Sequence, residues 1–272
     1  PSIGLLNTLA DKNEINIVPT IAGSNRDEVK LWLASAEYFV DLKFSVLGKL
    51  FGIPRVGLKD KDAFEIFNSY RSSAWKIRGV DTPLQNLAFA GNDNLYAYRY
   101  DWDDHRRIIV ADFKKLIGAA HATEIPLLTG NNKLVGDYGF LIYPNGPSKR
   151  FLSKNMMKFW TNFAKNGQPG TSTNGFEWLP YNSSDDNDSA FMILDNRKNL
   201  KMSSDDISFK SLAKNLYKET NVTDLEKCVV LLQMFTFVGI DLYDENINNY
   251  PGNCDRRTAE KFLKDNASFI DY

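Results

Sequence analysis

The sequence predicts an α/β protein, and three short runs of strand-type residues separated by helical patterns carry that prediction. The apolar run INIVPTIA at residues 15–22 ends at Gly23, as a buried parallel strand does. The tyrosine-rich residues 95–102 and the short run at residues 191–194 are the other two predicted strands. Strands that alternate with helices along a chain are typical of an α/β architecture with a mostly parallel sheet.

Capping residues and apolar spacing predict where two of the helices begin and end. Thr82 before Pro83 is predicted to be an N-cap with proline at the first helical position, and Gly91 is predicted to close that helix. A second helix is predicted to end near Gly167, because glycine readily adopts the left-handed conformation that ends helices. Five apolar residues share one face of this second helix: Leu152, Met156, Phe159, Trp160 and Phe163.

The C-terminal part of the chain is predicted to be helical. Thr223 and Glu226 form a T-x-x-E capping box that opens an apolar run over residues 228–237. Beyond the last predicted strand, the residues show no strand signal, and they are predicted to form two or three helices joined by polar turns. We therefore predict a helical C-terminal extension over residues 206–272, packed on an α/β part formed by residues 1–205.

The charge balance and the apolar content exclude several classes of function. The chain has 33 basic and 34 acidic residues, a net charge of −1, so a broad electrostatic surface for nucleic acid or anionic membrane is not predicted. Apolar residues make up 43% of the chain, which is enough for the core of a soluble globular protein. No apolar stretch approaches the roughly 20 residues of a membrane helix, so no membrane span is expected. The compartment, cytoplasmic or secreted, stays open.

Metal and cofactor sites are not predicted. Two cysteines, Cys228 and Cys254, cannot form a cysteine-based zinc site or a disulfide framework, and one bridge or two reduced thiols are equally compatible with the sequence. The acidic run at residues 182–189 lacks the glycine and the distal glutamate of a calcium loop. That run is therefore predicted to be a solvated turn.

Only two histidines are available as a general base near neutral pH. His105 lies among charged residues and is predicted to be a surface histidine, whereas His121 lies between small residues that leave an imidazole accessible. Glu28 follows the first predicted strand, where α/β-hydrolases place the acid of a Ser-His-acid triad, and it precedes the histidine as in that fold. Asp27 and Glu124 are alternative acids on composition alone.

Five segments carry a more specific signal. They are VPTIAGSNRDE at residues 18–28, LYAYRYDW at 95–102, GAAHATEIPLLTG at 118–130, WTNFAKNGQP at 160–169 and WLPY at 178–181. In this order they resemble segments of type B carboxylesterases, the group of cholinesterases and bacterial para-nitrobenzyl esterases. The resemblance implies an α/β-hydrolase fold without a cofactor. It also implies that Glu28 is the triad acid and His121 the general base, with Asp27 and Glu124 as structural neighbours.

The nucleophile that this resemblance requires is missing from the sequence. Family members carry their serine in a GxSxG motif before the acid, and the closest spacing match here, from Gly48 to Gly52, has leucine at its centre. The resemblance therefore implies that the chain is the C-terminal half of a carboxylesterase, with cap helices between Glu28 and His121. The predicted partner is an N-terminal half that supplies the serine and the oxyanion donors, and the isolated chain is expected to be inactive.

Two functions are compatible with the resemblance. The first is hydrolysis of a small carboxylic ester by a Ser-His-Glu triad, with the acyl and alcohol groups left open. The second is a catalytically inactive, cholinesterase-like interaction module, and the presence of both Glu28 and His121 favours the first. Aromatic residues between these two positions are predicted either to line an apolar cleft or to pack in the core: Trp32, Phe39, Phe44, Phe51 and Trp75.

Overall fold

The computed structural model describes residues 17–44, 49, 54–136, 139–182, 189–236 and 239–266. The strands are β1 (Thr20–Asn25), β2 (Val40–Lys43), β3 (Arg55–Leu58), β4 (Leu95–Tyr100), β5 (Ser189–Leu194) and β6 (Lys201–Asp205). The α-helices are α1 (Lys30–Leu33), α2 (Lys61–Lys76), α3 (Thr82–Phe89), α4 (Phe113–Leu116), α5 (Ile125–Thr129), α6 (Gly139–Ile142), α7 (Pro147–Asn166), α8 (Phe209–Lys218), α9 (Asp224–Thr236), α10 (Asp241–Asn246) and α11 (Arg256–Asp265). None of the helices in these ranges is both long and apolar enough to cross a bilayer.

The four-stranded sheet confirms the predicted α/β class. Its strands lie in the order β1-β4-β5-β6, with β1, β4 and β5 parallel and β6 antiparallel to β5. The first strand begins later than predicted, at Thr20 opposite Leu95, and residues 15–16 lie outside the described residues. Pro19 has no N–H to donate, whereas the Thr20 amide donates to the Asn94 carbonyl at 2.9 Å, so pairing starts after the proline.

Strand β4 is covered on both faces, as an inner strand of a parallel sheet requires. Leu95 belongs to one core cluster with Leu84 of α3 and Phe191 of β5. Tyr98 lies three positions along the strand and therefore points to the opposite face. There its ring makes an edge contact with Trp160 of α7, with the ring centroids 5.2 Å apart. The apolar face of α7 thus packs against the sheet at β4, the strand predicted at residues 95–102.

The helix ends follow the sequence signals at three of four places. Gly91 closes α3 as predicted, with φ +91° and its amide donating to the Ala88 carbonyl at 2.9 Å. Helix α7 ends at Gly167, which adopts the left-handed conformation with φ +72°. The Glu226 amide donates to Thr223 Oγ1 at 3.2 Å and the Thr223 amide to Glu226 Oε2 at 2.7 Å, which is the predicted capping box. The prediction that Thr82 is an N-cap is wrong. A π-helical turn at Ile77–Asp81 runs directly into α3, and Thr82 itself has helical backbone angles, so it does not cap a free helix end.

The chain divides into two compact units, and each is assembled from three segments. The four-stranded sheet belongs to the first, which contains the described residues up to Asn25, Lys76–Trp102 and the described residues of 122–206. The second contains Arg26–Trp75, Asp103–His121 and the described residues from Ile207 onward. The predicted division into residues 1–205 and a packed extension over residues 206–272 stays a prediction.

The second unit has its own aromatic core. The rings of Phe64 and Phe67 make edge contacts with the ring of Phe39, which is buried, and β2 and β3 pair as an antiparallel ribbon. Helices α8 to α11 lie in the described residues after 206, one more than the two or three predicted. Cys228 and Cys254 form a disulfide with their Cα atoms 5.3 Å apart. Of the two states compatible with the sequence, one bridge or two reduced thiols, the structure therefore has the bridge.

Candidate active site

Glu28 and His121 are in direct contact, although 93 positions separate them in the chain. His121 Nδ1 lies 2.8 Å from Glu28 Oε2. Because a carboxylate oxygen accepts, the ring nitrogen donates, and a neutral imidazole then carries its lone pair on Nε2. The Glu28 side chain is only 5% exposed, whereas that of His121 is 48% exposed. The pair therefore joins a buried carboxylate to an accessible imidazole.

Backbone hydrogen bonds hold the two loops that carry this pair side by side. The His121 amide donates to the Glu28 carbonyl at 3.1 Å, and the Asp27 amide donates to the Ala119 carbonyl at 3.0 Å. Ala122, the residue after the histidine, has φ +64°, a conformation that costs a residue with a side chain of order 1 kcal/mol. The chain thus turns sharply immediately after His121.

Asp27 is buried beside Glu28 but does not contact His121 through its carboxylate. Its Oδ2 accepts from Arg26 Nη2 at 2.7 Å and from the Ala119 amide at 2.9 Å, while Asn68 Nδ2 donates to Oδ1 at 2.7 Å. Burial raises the pKa of the Asp27 carboxyl, but the charges of Arg26 and Lys30 outweigh it and hold the pKa below its ordinary value. Asp27 is therefore an ionised, fully engaged carboxylate.

Glu124, the other alternative acid, contacts Asn25. Its Oε2 accepts a hydrogen bond of 2.6 Å from Asn25 Nδ2, within the first unit. The carboxylate that contacts the His121 ring at 2.8 Å is that of Glu28.

The prediction that His105 is a surface histidine is wrong. The residue is 6% exposed, and its Nε2 donates to the Gly118 carbonyl at 2.8 Å. Its neighbours Arg106 and Arg107 are exposed, so the charges that suggested a surface position belong to residues that point elsewhere. Local composition contains no signal for this contact, because the acceptor lies 13 positions along the chain.

Two half-buried tryptophans contact the imidazole of His121. The Trp32 ring is stacked on it with centroids 5.5 Å apart, and the Trp75 ring is tilted against it at 5.4 Å. Of the other aromatic residues considered from the sequence, Phe39 is in the core, Phe44 is exposed and residue 51 lies outside the described residues. Trp32 and Trp75 therefore place apolar aromatic surface against the His121 ring.

The described residues contain no cluster of histidine, cysteine, aspartate or glutamate side chains that could hold a metal ion. Most of the acidic run predicted to be a solvated turn, residues 183–188, lies outside the described residues.

An α/β chain in which a buried carboxylate orients an imidazole from a distant stretch has the arrangement of the α/β-hydrolases. The sequence profile of the carboxylesterase family matches residues 66–216, more than half of the chain. The chain belongs to the carboxylesterase family, and the α/β-hydrolase class predicted from its sequence is confirmed.

Two curated relatives of the chain are bile salt-activated lipases. The lipase of Bos taurus is 31% identical over 105 residues, a match that covers 38% of this chain and 16% of the lipase. The lipase of Homo sapiens is 33% identical over 101 residues, covering 36% of this chain and 12% of the lipase. The chain therefore matches only a small part of the length of these relatives.

Solved structures similar to the chain are esterases. A carboxylesterase of Geobacillus stearothermophilus is 18% identical with a TM-score of 0.46, and the match covers 74% of this chain and 41% of that one. A PNB esterase is 16% identical with a TM-score of 0.39, covering 74% and 39%. A thermophilic PNB esterase is 17% identical with a TM-score of 0.42, again covering 74% and 39%.

Proposed function

We propose that the full-length protein is a carboxylic ester hydrolase in which Glu28 is the triad acid and His121 the general base. The observation that supports this most strongly is the 2.8 Å contact between His121 Nδ1 and Glu28 Oε2. The contact selects the tautomer in which Nε2 can accept a proton. A buried acid that orients a half-exposed imidazole suits proton transfer to and from a bound substrate.

The proposed reaction is acyl transfer in two steps. A serine outside this chain attacks the ester carbonyl, and His121 Nε2 takes the proton of the serine hydroxyl. Glu28 stabilises the resulting imidazolium without taking the proton itself. His121 then gives this proton to the departing alcohol. In the second step it activates a water molecule, which releases the acid and regenerates the serine.

The nucleophile and the oxyanion donors are assigned to another part of the full-length protein. The 272 residues contain no GxSxG motif, and the curated relatives are several times longer than the segments that match. Backbone N–H groups at an oxyanion hole each contribute on the order of 3 kcal/mol to transition-state stabilisation. A chain that lacks both features is expected to have negligible esterase activity by itself.

A second candidate function is an inactive interaction module of the same family, which needs no nucleophile and is therefore equally compatible with a sequence that contains no GxSxG motif. Catalysis by the full-length protein distinguishes the two. The Glu28–His121 hydrogen bond and the exposed imidazole favour the hydrolase, because an interaction surface needs neither a defined tautomer nor an accessible base.

The test is hydrolysis of a short-chain p-nitrophenyl ester by the full-length protein and its variants. His121→Ala removes the base, and we expect kcat to fall by about four orders of magnitude or more. Glu28→Gln keeps the shape of the side chain but removes its charge, and a loss of about four orders of magnitude is expected from the destabilised imidazolium.

Tyr38→Phe is the matched control, because it removes a 2.7 Å hydrogen bond to Glu226 within the same unit without touching the pair. We expect this variant to retain its kcat. Full activity in His121→Ala would refute the proposed role of His121, and an inactive full-length protein would favour the interaction module.

A further inference from the structure

One peptide group near His121 is held at both ends by buried side chains. The carbonyl of the peptide between Gly118 and Ala119 accepts from His105 Nε2 at 2.8 Å. The N–H of the same peptide donates to Asp27 Oδ2 at 2.9 Å. Both side chains are more than nine-tenths buried, and they reach the peptide from separate segments of the second unit.

We propose that His105 and Asp27 are positioning residues that fix the loop carrying His121. We call these two side chains and the peptide they hold the Gly118–Ala119 clamp. The inference rests on the proposed function for His121 and extends it to two residues that contact neither substrate nor nucleophile. His105 thus acts on His121 through the backbone.

The fit of the peptide against Asp27 leaves little room for movement. Gly118 has φ +56°, which favours glycine, and a Cβ built at this residue would come within 2.4 Å of Asp27 Oδ2. The backbone therefore approaches the carboxylate more closely than a residue with a side chain would permit. This approach brings the Ala119 N–H within hydrogen-bonding distance of Asp27.

Asp27 is itself held by groups that compensate its buried charge. Arg26 and Asn68 donate to its two oxygens, and Lys30 Nζ lies 3.7 Å from Oδ1. A buried carboxylate that lost these partners would be costly, so the network keeps the side chain in one position. Its own amide also donates to the Ala119 carbonyl, which ties the same loop a second time.

Displacement of the clamped peptide would move the catalytic imidazole. Ala119 is two positions before His121, whose amide is bound to the Glu28 carbonyl and whose ring is bound to the Glu28 carboxylate. Misplacement of a catalytic group by about 1 Å can cost on the order of 100-fold in rate. Loss of the clamp should therefore lower kcat while leaving substrate binding largely intact.

The first test is kinetic and uses the full-length protein. His105→Phe removes the donor and Asp27→Asn removes the charge, and we expect each to lower kcat by about 10- to 100-fold with KM changed by less than about twofold. His105→Gln restores an N–H donor of similar reach and should recover most of the loss. If His105→Phe does not fold, Asp27→Asn still tests the clamp, because this substitution keeps the size of the side chain and the same decrease in kcat is expected.

The matched control is Tyr70→Phe, which removes a 2.8 Å hydrogen bond to Glu219 from another buried side chain of the same unit. This variant should lose stability without losing kcat. If the control lowers kcat as much as His105→Phe does, or if His105→Gln recovers nothing, the clamp has no positioning role.

The second test uses NMR to monitor the His121 ring independently of catalysis. The His121 Nδ1–H should give a downfield proton resonance in NMR spectra, assigned by its absence in His121→Ala. We expect this resonance to shift or broaden in His105→Phe and to return in His105→Gln. An unchanged resonance in His105→Phe would overturn the clamp. A changed resonance in a protein whose activity does not depend on His121 would support the clamp and refute the proposed function.

Discussion

Adjacent carboxylates at positions 27 and 28 are equally buried but serve different partners. Glu28 accepts from the imidazole of His121, whereas Asp27 accepts from the backbone that carries this histidine. Consecutive residues in a loop can point in different directions, so a single Asp-Glu pair can supply both the proposed triad acid and the proposed positioning residue. The difference lies in the geometry of the loop, since the two side chains have the same chemistry.

Asp27 should also contribute to stability in a pH-dependent way. Its pKa in the folded protein lies below the ordinary value, because Arg26 and Lys30 outweigh the effect of burial. A lowered pKa gives a contribution that is full above the ordinary value and is lost as the pH falls through the folded value. The free energy of unfolding should therefore decrease below about pH 4.

Urea unfolding of the wild type and of Asp27→Asn between neutral and acidic pH measures this contribution. The variant should be less stable at neutral pH, and its free energy of unfolding should depend less on pH in the acidic range. Asp41→Asn, which removes one negative charge from a partly exposed site beside Lys43, is the control for net charge. Parallel curves for wild type and Asp27→Asn would contradict the prediction.

The sequence predicts the contact between Glu28 and His121 but not the clamp around it. The contact follows from a family resemblance in which both residues lie within long matching segments. The clamp depends on a backbone carbonyl and a backbone N–H, which almost every residue carries, and Gly118 alone does not show which side chains bind them. The charged neighbours of His105 therefore predict a surface position, although the residue is buried.

At the scale of elements, prediction succeeds where a local signal coincides with the tertiary contact. Helix α7 has a regular apolar face and a glycine at its end, and both features agree with the structure. Thr82 has an equally good local signal, yet the chain is already helical through Ile77–Asp81. The start of β1 is set by Pro19 and by its pairing with β4, which a hydrophobic run alone does not define.

Gly167 tests how much the end of α7 contributes. Its φ of +72° is unfavourable for any residue with a side chain, and a Cβ would lie 3.1 Å from Pro19 Cγ. We expect Gly167→Ala to lower the free energy of unfolding by about 1 kcal/mol or more. Gly57→Ala is the control, since a Cβ there would meet no atom within 4 Å and its φ is not positive.

Denaturant unfolding compares the two variants with the wild type. The control should be neutral or slightly more stable, because alanine loses less conformational entropy than glycine on folding. Equal destabilisation by both substitutions would show that the left-handed conformation at Gly167 is not what matters.

At the scale of the whole molecule, the four-stranded sheet ends at β1, and a further strand could pair with this edge. Within the described residues, β1 has one hydrogen-bonded partner, β4, and it stands at one end of the sheet. Parallel strands are usually buried between neighbours, and an open edge is a site for further pairing. The proposed N-terminal half would supply this neighbour together with the serine, so completion of the sheet and of the triad would depend on the same segment.

Active-site labelling of the full-length protein tests whether the nucleophilic serine lies outside these 272 residues while His121 supplies the base. A fluorophosphonate reacts with a serine that a general base activates, so we expect the labelled peptide to lie outside these 272 residues. His121→Ala should slow the labelling strongly, because the serine then lacks the base that removes its proton. Heat-denatured protein is the control for reaction that does not require the site. A label on a serine of this chain would place the nucleophile here and would remove the need for a second half.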